Sequence, residues 1–157
     1  MDETARILIV DDDENIRKVL LAILEDEGYK VESAGTAKDA IEKTKSKFYN
    51  LALIDIRLPD MEGIELLTKF RDTTPKMRKI IMTGFPTLQN AVDAVNRGAN
   101  AYILKPFDVE KVLKTIEQQL KKQQEEKRYS QDKVAEFIET RVKELDLEKE
   151  VTPKKRH

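Results

Sequence analysis

Four apolar residues, Ile7-Leu8-Ile9-Val10, are followed directly by the acidic pair Asp11-Asp12. An apolar run without alternation is typical of a strand that is buried on both faces, as in a parallel sheet. Ligands of such sheets bind beyond the carboxyl ends of the strands, which is where the two carboxylates would lie. The stretch therefore predicts a buried first strand with an acidic site at its end.

Similar runs recur along the chain and alternate with helical patterns. Apolar runs occupy residues 51–54, 80–82 and 101–104, and the more polar residues 31–34 predict an edge strand. Between and after them, apolar residues recur at the three- and four-residue spacing of amphipathic helices. These helical stripes cover residues 16–24, 36–41, 64–70, 88–95 and 109–120. Five alternations predict an α/β domain with a doubly wound, five-stranded parallel sheet and five helices.

The composition excludes several classes of chemistry. The chain has 157 residues, a net charge of −1, no cysteine and a single histidine, His157. Disulfides, thiolate metal sites and cysteine nucleophiles are therefore excluded, as are a Ser-His-Asp triad and a site with several histidines. The balanced charge argues against a nucleic-acid partner, which usually requires a basic face.

No segment has the pattern of a membrane anchor or a secretion signal. The apolar runs are far shorter than the roughly 20 residues that span a bilayer. The acidic start, MDETAR, lacks the apolar core of a signal peptide. We therefore expect a cytoplasmic protein without membrane contact.

Five side chains with chemical capacity end or follow the predicted strands. They are Asp11, Asp12, Asp55, Thr83 and Lys105, and the carboxyl ends of parallel strands bring them to one edge of the sheet. Three crowded carboxylates require a cation, and oxygen ligands without histidine or cysteine favour Mg²⁺. A carboxylate can also act as a nucleophile and form an acyl phosphate. The set therefore predicts phosphoryl transfer to an aspartate, oriented by the cation, the ammonium group and the hydroxyl.

The motifs that contain these residues resemble the receiver domain of two-component response regulators. The resemblance covers residues 5 to about 122, and the motifs have the order and spacing of that family. They are ILIVDD at 7–12, LIDIRLPDMEG at 53–63, MTG at 82–84 and GANAYILKPF at 98–107. The resemblance implies a flavodoxin-like sheet of strand order 2-1-3-4-5. It also implies a signalling protein whose own chemistry is limited to its phosphorylation and dephosphorylation.

The resemblance also implies a role for each residue at the site. Asp55 would accept the phosphoryl group from a sensor histidine kinase, and Lys105 would pair with the phosphoryl oxygens. Asp12 would bind Mg²⁺ directly, Asp11 would bind it partly through water, and Asp55 and the backbone carbonyl of Arg57 would complete the protein ligands.

A second group of residues would respond to the phosphoryl group. Thr83 would turn inward to hydrogen-bond it, and Tyr102 would change rotamer with that movement. The change would alter the face formed by the fourth helix, the fifth strand and the fifth helix. Arg57 and Phe85 occupy the positions that flank the phosphoryl group, so we expect this bulky pair to slow attack by water. The Lys105–Pro106 bond stands at the family's site of a cis peptide.

The rest of the chain is predicted to be a charged helical extension. We expect a receiver domain at residues 1–122 and the extension at 123–157. Residues 121–133 lack glycine and proline and are mostly good helix formers, which favours a solvent-exposed continuation of the fifth helix over a flexible linker. An amphipathic helix is predicted at about residues 132–147. The extension ends in a basic tail with Lys154, Lys155 and Arg156.

One apolar stripe cannot form an independent core, so the last helix must bury its stripe elsewhere. It can fold back on its own receiver, pair with a second copy of the chain or dock on a partner protein. We rank homotypic packing or dimerisation first, partner docking second and nucleic acid third. A homodimer could also use the face of the fourth helix, fifth strand and fifth helix.

Output through protein contacts is the expected mode of signalling. No ATPase or DNA-binding domain is visible after residue 122, although residues 85–99 resemble the receivers of enhancer-binding transcriptional regulators. Two alternatives stay open: a phosphorelay shuttle that passes the group to a histidine phosphotransfer protein, and a regulator of transcription that acts through a protein partner. A phosphatase of the haloacid dehalogenase type is disfavoured because that family needs an aspartate where Arg57 stands.

Overall fold

The computed structural model describes residues 4–151, and in that range strands and helices alternate as predicted. The strands are β1 (Arg6–Val10), β2 (Lys30–Ala34), β3 (Leu51–Asp55), β4 (Arg78–Thr83) and β5 (Ala101–Leu104). The helices are α1 (Glu14–Asp26), α2 (Ala37–Ser46), α3 (Gly63–Leu66), α4 (Leu88–Asn96) and α5 (Val109–Val151).

The strands form one parallel sheet of order β2-β1-β3-β4-β5. All five residues of β3 are buried, as expected for a central strand with helices on both faces. β2 lies at one edge, and its residues are mostly half-buried, in agreement with its more polar sequence. The predicted doubly wound fold and its strand order are confirmed.

Two hydrophobic cores lie on opposite faces of the sheet, because alternate residues of a strand point to opposite sides. Leu8 and Val10 of β1 belong to the core that α2, α3 and α4 cover. Ile7 and Ile9 belong to the core that α1 and α5 cover. The helices therefore fix the sheet from both sides and leave its carboxyl edge free to form a site.

Short polar side chains cap the first turns of α1, α2, α4 and α5, the last through Asp108, which accepts from the N–H of Glu110. Asp13 accepts hydrogen bonds from the backbone N–H groups of Asn15 and Ile16 at the start of α1. Thr36 and Thr87 cap α2 and α4 in the same way. These residues satisfy backbone donors that the first helical turn leaves without a partner.

The third helix is shorter than its apolar stripe predicts. The pattern extends to residue 70, whereas α3 ends at Leu66 and the chain continues in turns. Leu67 and Phe70 are nevertheless buried in the core beneath α3 and α4. The apolar spacing therefore reports the burial of these side chains and not a continued helix.

The fifth helix contains the segment for which a separate amphipathic helix is predicted. The chain divides into two compact units, one ending at Gln123 and the other beginning at Gln124. In the first unit, the buried side chain of Gln123 donates to the backbone carbonyls of Lys76 at 2.7 Å and of Asn50 at 2.9 Å. The Asn50 side chain donates back to Gln123 Oε1 at 3.2 Å. The two units thus divide after Gln123, and the domain boundary after residue 122 stays a prediction.

The second unit presents its apolar side chains to solvent within the part of α5 that is described. Its basic tail, with Lys154, Lys155 and Arg156, lies outside the described residues. Among the helices of residues 4–151, none is both long and apolar enough to span a bilayer. The exposed apolar residues of this unit are Tyr129, Val134, Phe137, Ile138, Val142, Leu145 and Leu147.

Candidate functional site

The carboxyl edge of the sheet brings together the five predicted side chains. Asp11 and Asp12 follow β1, Asp55 is the last residue of β3, Thr83 is the last residue of β4, and Lys105 follows β5. Asp55 pairs in register with Met82 of the neighbouring strand β4, so Thr83 lies one position beyond the partner of Asp55. The topology alone thus places the acidic, hydroxyl and ammonium groups at one edge.

Three carboxylates form a compact cluster at this edge. One carboxylate oxygen from each of Asp11, Asp12 and Asp55 lies within 4.8 Å of the others. Asp11 and Asp55 are buried, whereas Asp12 is exposed. Because the cluster offers only oxygen ligands, and because buried carboxylates of like charge repel each other, it fits a hard divalent cation such as Mg²⁺.

Lys105 connects two of these carboxylates. Its Nζ lies 2.8 Å from Asp11 Oδ2 and 3.4 Å from Asp55 Oδ1. Burial disfavours the charged ammonium group, but the hydrogen bond and the charge of Asp11, together with Asp55, raise the pKa of Lys105. The Lys105–Pro106 peptide bond is cis, as the resemblance implies, and the Lys105 N–H donates to the carbonyl of Thr83 at 2.7 Å.

Asp55 is held in an environment that opposes its ionisation. Burial and the neighbouring charge of Asp11 raise the pKa of the Asp55 carboxyl. The ammonium group of Lys105 and the backbone N–H of Arg57 act in the other direction by stabilising the carboxylate. A bound cation would add to this stabilisation and keep Asp55 in the ionised form that a nucleophile needs.

The loop from Ile56 to Glu62 folds tightly onto the end of β3. The N–H of Gly63 donates to the carbonyl of Ile56 at 2.7 Å, and Arg57 pairs with Glu62 in an antiparallel bridge. A Cβ atom at Gly63 would overlap the carbonyl oxygen of Asp55 and would lie 2.9 Å from the Cα of Ile56. Glycine is therefore required for this approach of the loop to the end of β3.

Two exposed side chains meet at the mouth of the site. The guanidinium carbon of Arg57 lies 4.7 Å from the centre of the Phe85 ring, which is the geometry of a cation–π contact. The hydroxyl of Thr83 is buried and accepts a hydrogen bond from the N–H of Phe85 at 3.0 Å. Arg57 and Phe85, the side chains predicted to flank the phosphoryl group, thus contact each other. The backbone N–H of Phe85 is hydrogen-bonded to the hydroxyl of Thr83.

Tyr102 lies on β5 and packs against the core beneath α4. Its hydroxyl is buried and makes no hydrogen bond with the described residues. Burial raises the pKa of Tyr102. A buried hydroxyl without a partner is costly, so another rotamer that reaches a partner or solvent would relieve it.

Two residues near the site make hydrogen bonds that the sequence pattern does not predict, and those of Asp60 are long-range. Arg17 donates from Nη1 to the backbone carbonyl of Asp11 at 2.7 Å. Asp60 accepts hydrogen bonds from the N–H groups of Ala37 and Lys38 at the start of α2. The sequence identifies Asp60 only as part of a turn, because its partners lie more than twenty residues away.

The sequence of this chain is similar to those of known response regulators. Residues 7–117 match the family described as the response regulator receiver domain. Transcriptional regulatory protein ZraR from Klebsiella oxytoca is 37% identical over 118 residues, which cover 75% of this chain and 27% of that protein. The match spans about a quarter of the length of ZraR from Klebsiella oxytoca and from Salmonella typhimurium.

Solved structures agree in fold and in sequence. A CheY-like response regulator receiver domain protein from Methanospirillum hungatei JF-1 has a TM-score of 0.76 and 48% identity, covering 79% of this chain and 99% of that one. The beryllofluoride-activated receiver domain dimer of NtrC4 has a TM-score of 0.71 and 36% identity, covering 75% of this chain and 98% of that one.

Proposed function

The chain belongs to the response regulator receiver family, and from that premise we propose that it accepts a phosphoryl group on Asp55 from a sensor histidine kinase in the cytoplasm. The observation that carries this proposal is the position of Asp55, which ends β3 inside the carboxylate cluster and 3.4 Å from Lys105 Nζ. Such a group meets the needs of an acyl phosphate acceptor.

The proposed reaction transfers one phosphoryl group between two side chains. A carboxylate oxygen of Asp55 attacks the phosphorus of a phosphohistidine, an O–P bond forms, and the N–P bond breaks. The imidazole nitrogen leaves with the electron pair and takes up a proton. Lys105 then pairs with the phosphoryl oxygens and offsets their charge, which an ammonium group at this position is suited to do.

Mg²⁺ is the cofactor that we assign to this chemistry. Asp11, Asp12 and Asp55 would hold it, since their carboxylate oxygens form one cluster, and the resemblance adds the backbone carbonyl of Arg57 as a further ligand. When bound, the cation neutralises the carboxylates and the developing charge on the phosphoryl oxygens. The backbone N–H of Arg57 donates to the Asp55 carboxyl, so the Arg57 backbone lies next to the cluster, which supports the assignment.

Thr83 and Tyr102 are the residues that we assign to the response. The Thr83 hydroxyl would leave its bond with the N–H of Phe85 and donate to the phosphoryl group. Movement of Thr83 would give Tyr102 space to change rotamer and to end the isolation of its hydroxyl. The surface of α4, β5 and the start of α5 would change as a result.

Homodimerisation is the first proposed output. Binding of a downstream protein is the second. Apolar side chains on α4 and β5 are unusually exposed, with Leu88 at 83%, Val95 at 69% and Leu104 at 46%. Exposed apolar patches mark interaction surfaces, and a similar receiver, that of NtrC4, has been solved as a dimer. The apolar stripe of residues 134–145 offers an alternative surface for the second copy.

Two further functions are retained as alternatives. A phosphorelay shuttle would pass the phosphoryl group from Asp55 to a histidine phosphotransfer protein. A regulator of transcription would act through a protein partner, in keeping with relatives such as ZraR, a transcriptional regulatory protein. A transfer assay with phosphotransfer proteins separates the shuttle from the others, because only the shuttle returns its phosphoryl group to a histidine.

Phosphorylation is tested by mass spectrometry of the intact chain after incubation with acetyl phosphate and Mg²⁺. We expect the wild-type chain to gain one phosphoryl group and the Asp55→Asn variant to gain none. Equal phosphorylation of the wild-type and Asp55→Asn chains would contradict the proposal. So would a wild-type chain that gains no phosphoryl group from either acetyl phosphate or a kinase.

The output is tested by light scattering after size exclusion, with Mg²⁺ alone and with Mg²⁺ and beryllofluoride. We expect the mass to change with beryllofluoride only when Asp55 is present. A chain cut after Lys127 shows which surface carries the change, since it keeps α4 and β5 but lacks the stripe at 134–145. An unchanged mass in every chain would exclude dimerisation as the output. Binding of a different protein would then be the remaining proposal.

A further inference from the structure

The carboxylate of Asp60 joins the loop between β3 and α3 to the start of α2. Its Oδ1 accepts a hydrogen bond from the N–H of Ala37, and its Oδ2 accepts one from the N–H of Lys38, both at 2.9 Å. These hydrogen bonds hold the pKa of Asp60 below its ordinary value. A carboxylate that accepts two backbone N–H bonds at a helix N-terminus is also favoured by the helix dipole.

Asp60 completes a cap that Thr36 begins. The Thr36 hydroxyl accepts from the N–H of Asp39 at 3.0 Å, and its carbonyl accepts from the N–H of Ala40 at 3.1 Å. The two remaining donors of the first turn are the N–H groups of Ala37 and Lys38, which Asp60 satisfies. The contact therefore acts in both directions: it caps α2, and it ties the loop to a helix that both the sheet and the core hold in place.

The segment between Asp60 and Arg57 is stiff. Pro59 has a backbone φ fixed at about −65°, and it restricts Leu58 to extended backbone. The N–H of Leu58 donates to the carbonyl of Met61 at 3.2 Å, while Arg57 pairs with Glu62. Few free torsions separate the two residues, so a displacement of Asp60 is transmitted to the backbone of Arg57.

We propose that Asp60 is a positioning residue for the metal site, because it anchors the loop that presents the Arg57 carbonyl to Mg²⁺. The inference rests on the proposed function, in which that carbonyl is a ligand. A backbone ligand cannot be corrected by a change of rotamer, so its position depends on the loop alone. Gly63 fixes one end of the loop on β3, and Asp60 fixes its tip on α2.

Calorimetric titration of the full chain with Mg²⁺ tests the proposal, with thermal unfolding of the metal-free chains measured alongside. We expect Asp60→Ala to bind Mg²⁺ about tenfold more weakly than wild type, as is common when a supporting contact of a metal ligand is lost. Asp60→Asn keeps one acceptor but places an amide N–H opposite the second backbone donor, so its affinity should lie between the two.

Thr36→Ala is the matched control. It removes the other side-chain cap of α2 without touching the loop, so it should lower the unfolding midpoint while leaving the Mg²⁺ dissociation constant unchanged. We expect Asp60→Ala also to weaken the change that Mg²⁺ causes in the carbonyl ¹³C resonance of Arg57, which a loss of helix stability alone would not do.

The outcomes separate the two proposals. Wild-type affinity in both Asp60 variants would overturn the positioning role, as would an equal loss of affinity in Thr36→Ala and Asp60→Ala. Either result leaves the proposed function intact as long as the wild-type chain binds Mg²⁺ and Asp55→Asn binds it more weakly. A wild-type chain that does not bind Mg²⁺ would overturn both.

Discussion

Lys105 lies between Asp11 and Asp55 and stabilises the ionised form of Asp55. Replacing it with methionine keeps an apolar stem but removes the charge, so the already raised pKa of Asp55 should rise further. Titration of the carboxyl ¹³C resonances in metal-free buffer measures this, and the midpoint for Asp55 should move to higher pH. Lys45→Met removes an exposed lysine paired with Glu42 and should leave that midpoint unchanged, whereas an unchanged midpoint in Lys105→Met would contradict the assignment.

Gly63 is the residue at which the site tolerates no side chain. Gly63→Ala should destabilise the fold by at least about 2 kcal/mol, because its Cβ meets backbone atoms that cannot move aside. Gly84→Ala is the control, since its Cβ would lie 3.8 Å from the Cβ of Lys105, an ordinary contact. Urea unfolding of both variants compares them, and similar midpoints would show that the loop at Gly63 relaxes.

Arg57 and Phe85 are expected to act as one shield over Asp55. Their contact is exposed, and such cation–π pairs contribute about 0.5–1 kcal/mol, so each single alanine variant should lose its phosphoryl group about threefold faster. The double variant should be little faster than either single one, because either substitution already breaks the contact. Decay of the phosphorylated chain, followed by intact mass, provides the rates. Unchanged rates in the single variants would reject the shield.

At the scale of the element, the amino-terminal part of α5 is anchored by a buried glutamine. Gln123→Ala should cost about 2–3 kcal/mol, because the carbonyls of Asn50 and Lys76 lose their hydrogen-bond donor in a buried place. Gln124→Ala is the natural comparison: its side chain is exposed, and the change should be nearly neutral. Chemical unfolding of the two chains measures the difference, and equal stability would show that water replaces the lost bonds.

Strands and helices differ in how far the sequence could predict them. The buried strands were predictable because an apolar run bounded by charges has few other environments, as at residues 7–10 and 51–54. The end of α3 was not, because Leu67 and Phe70 are buried from a turn and keep the apolar spacing of a helix. The pattern records which side chains are buried, and the backbone conformation between them depends on contacts made elsewhere in the fold.

At the scale of the whole molecule, stability should reside in the unit that ends at Gln123. The buried members of both cores lie within residues 7–116, and Gln123 is the last buried side chain among the described residues. A chain cut after Lys127 should therefore unfold at the same temperature as the full chain and keep its Mg²⁺ affinity. A chain cut after Gln118 loses Gln119, Leu120 and Gln123 and should unfold at a lower temperature. A large loss in the longer fragment would show that the extension stabilises the receiver.

The candidate site was predictable to the extent that topology determines it. Lys105 and Asp11 are 94 residues apart, yet both follow parallel strands of one sheet, which is enough to expect them together. No such rule predicts the hydrogen bonds between Asp60 and α2 or between Gln123 and Asn50. They depend on where a loop tip and a helix end meet after packing, which no local spacing encodes.

The central place of β3 has a consequence for the persistence of a signal. This strand is hydrogen-bonded on both sides, and every residue in it is buried, so its amides should exchange with solvent more slowly than those of the edge strands β2 and β5. Asp55 ends that strand and is thus attached to the part of the molecule that opens last. If Asp55 is phosphorylated as proposed, fraying of the edge strands would not expose the acyl phosphate, and hydrolysis would take place within the folded site. The lifetime of the phosphorylated state would then depend on the groups around Asp55 and not on motions of β2 and β5.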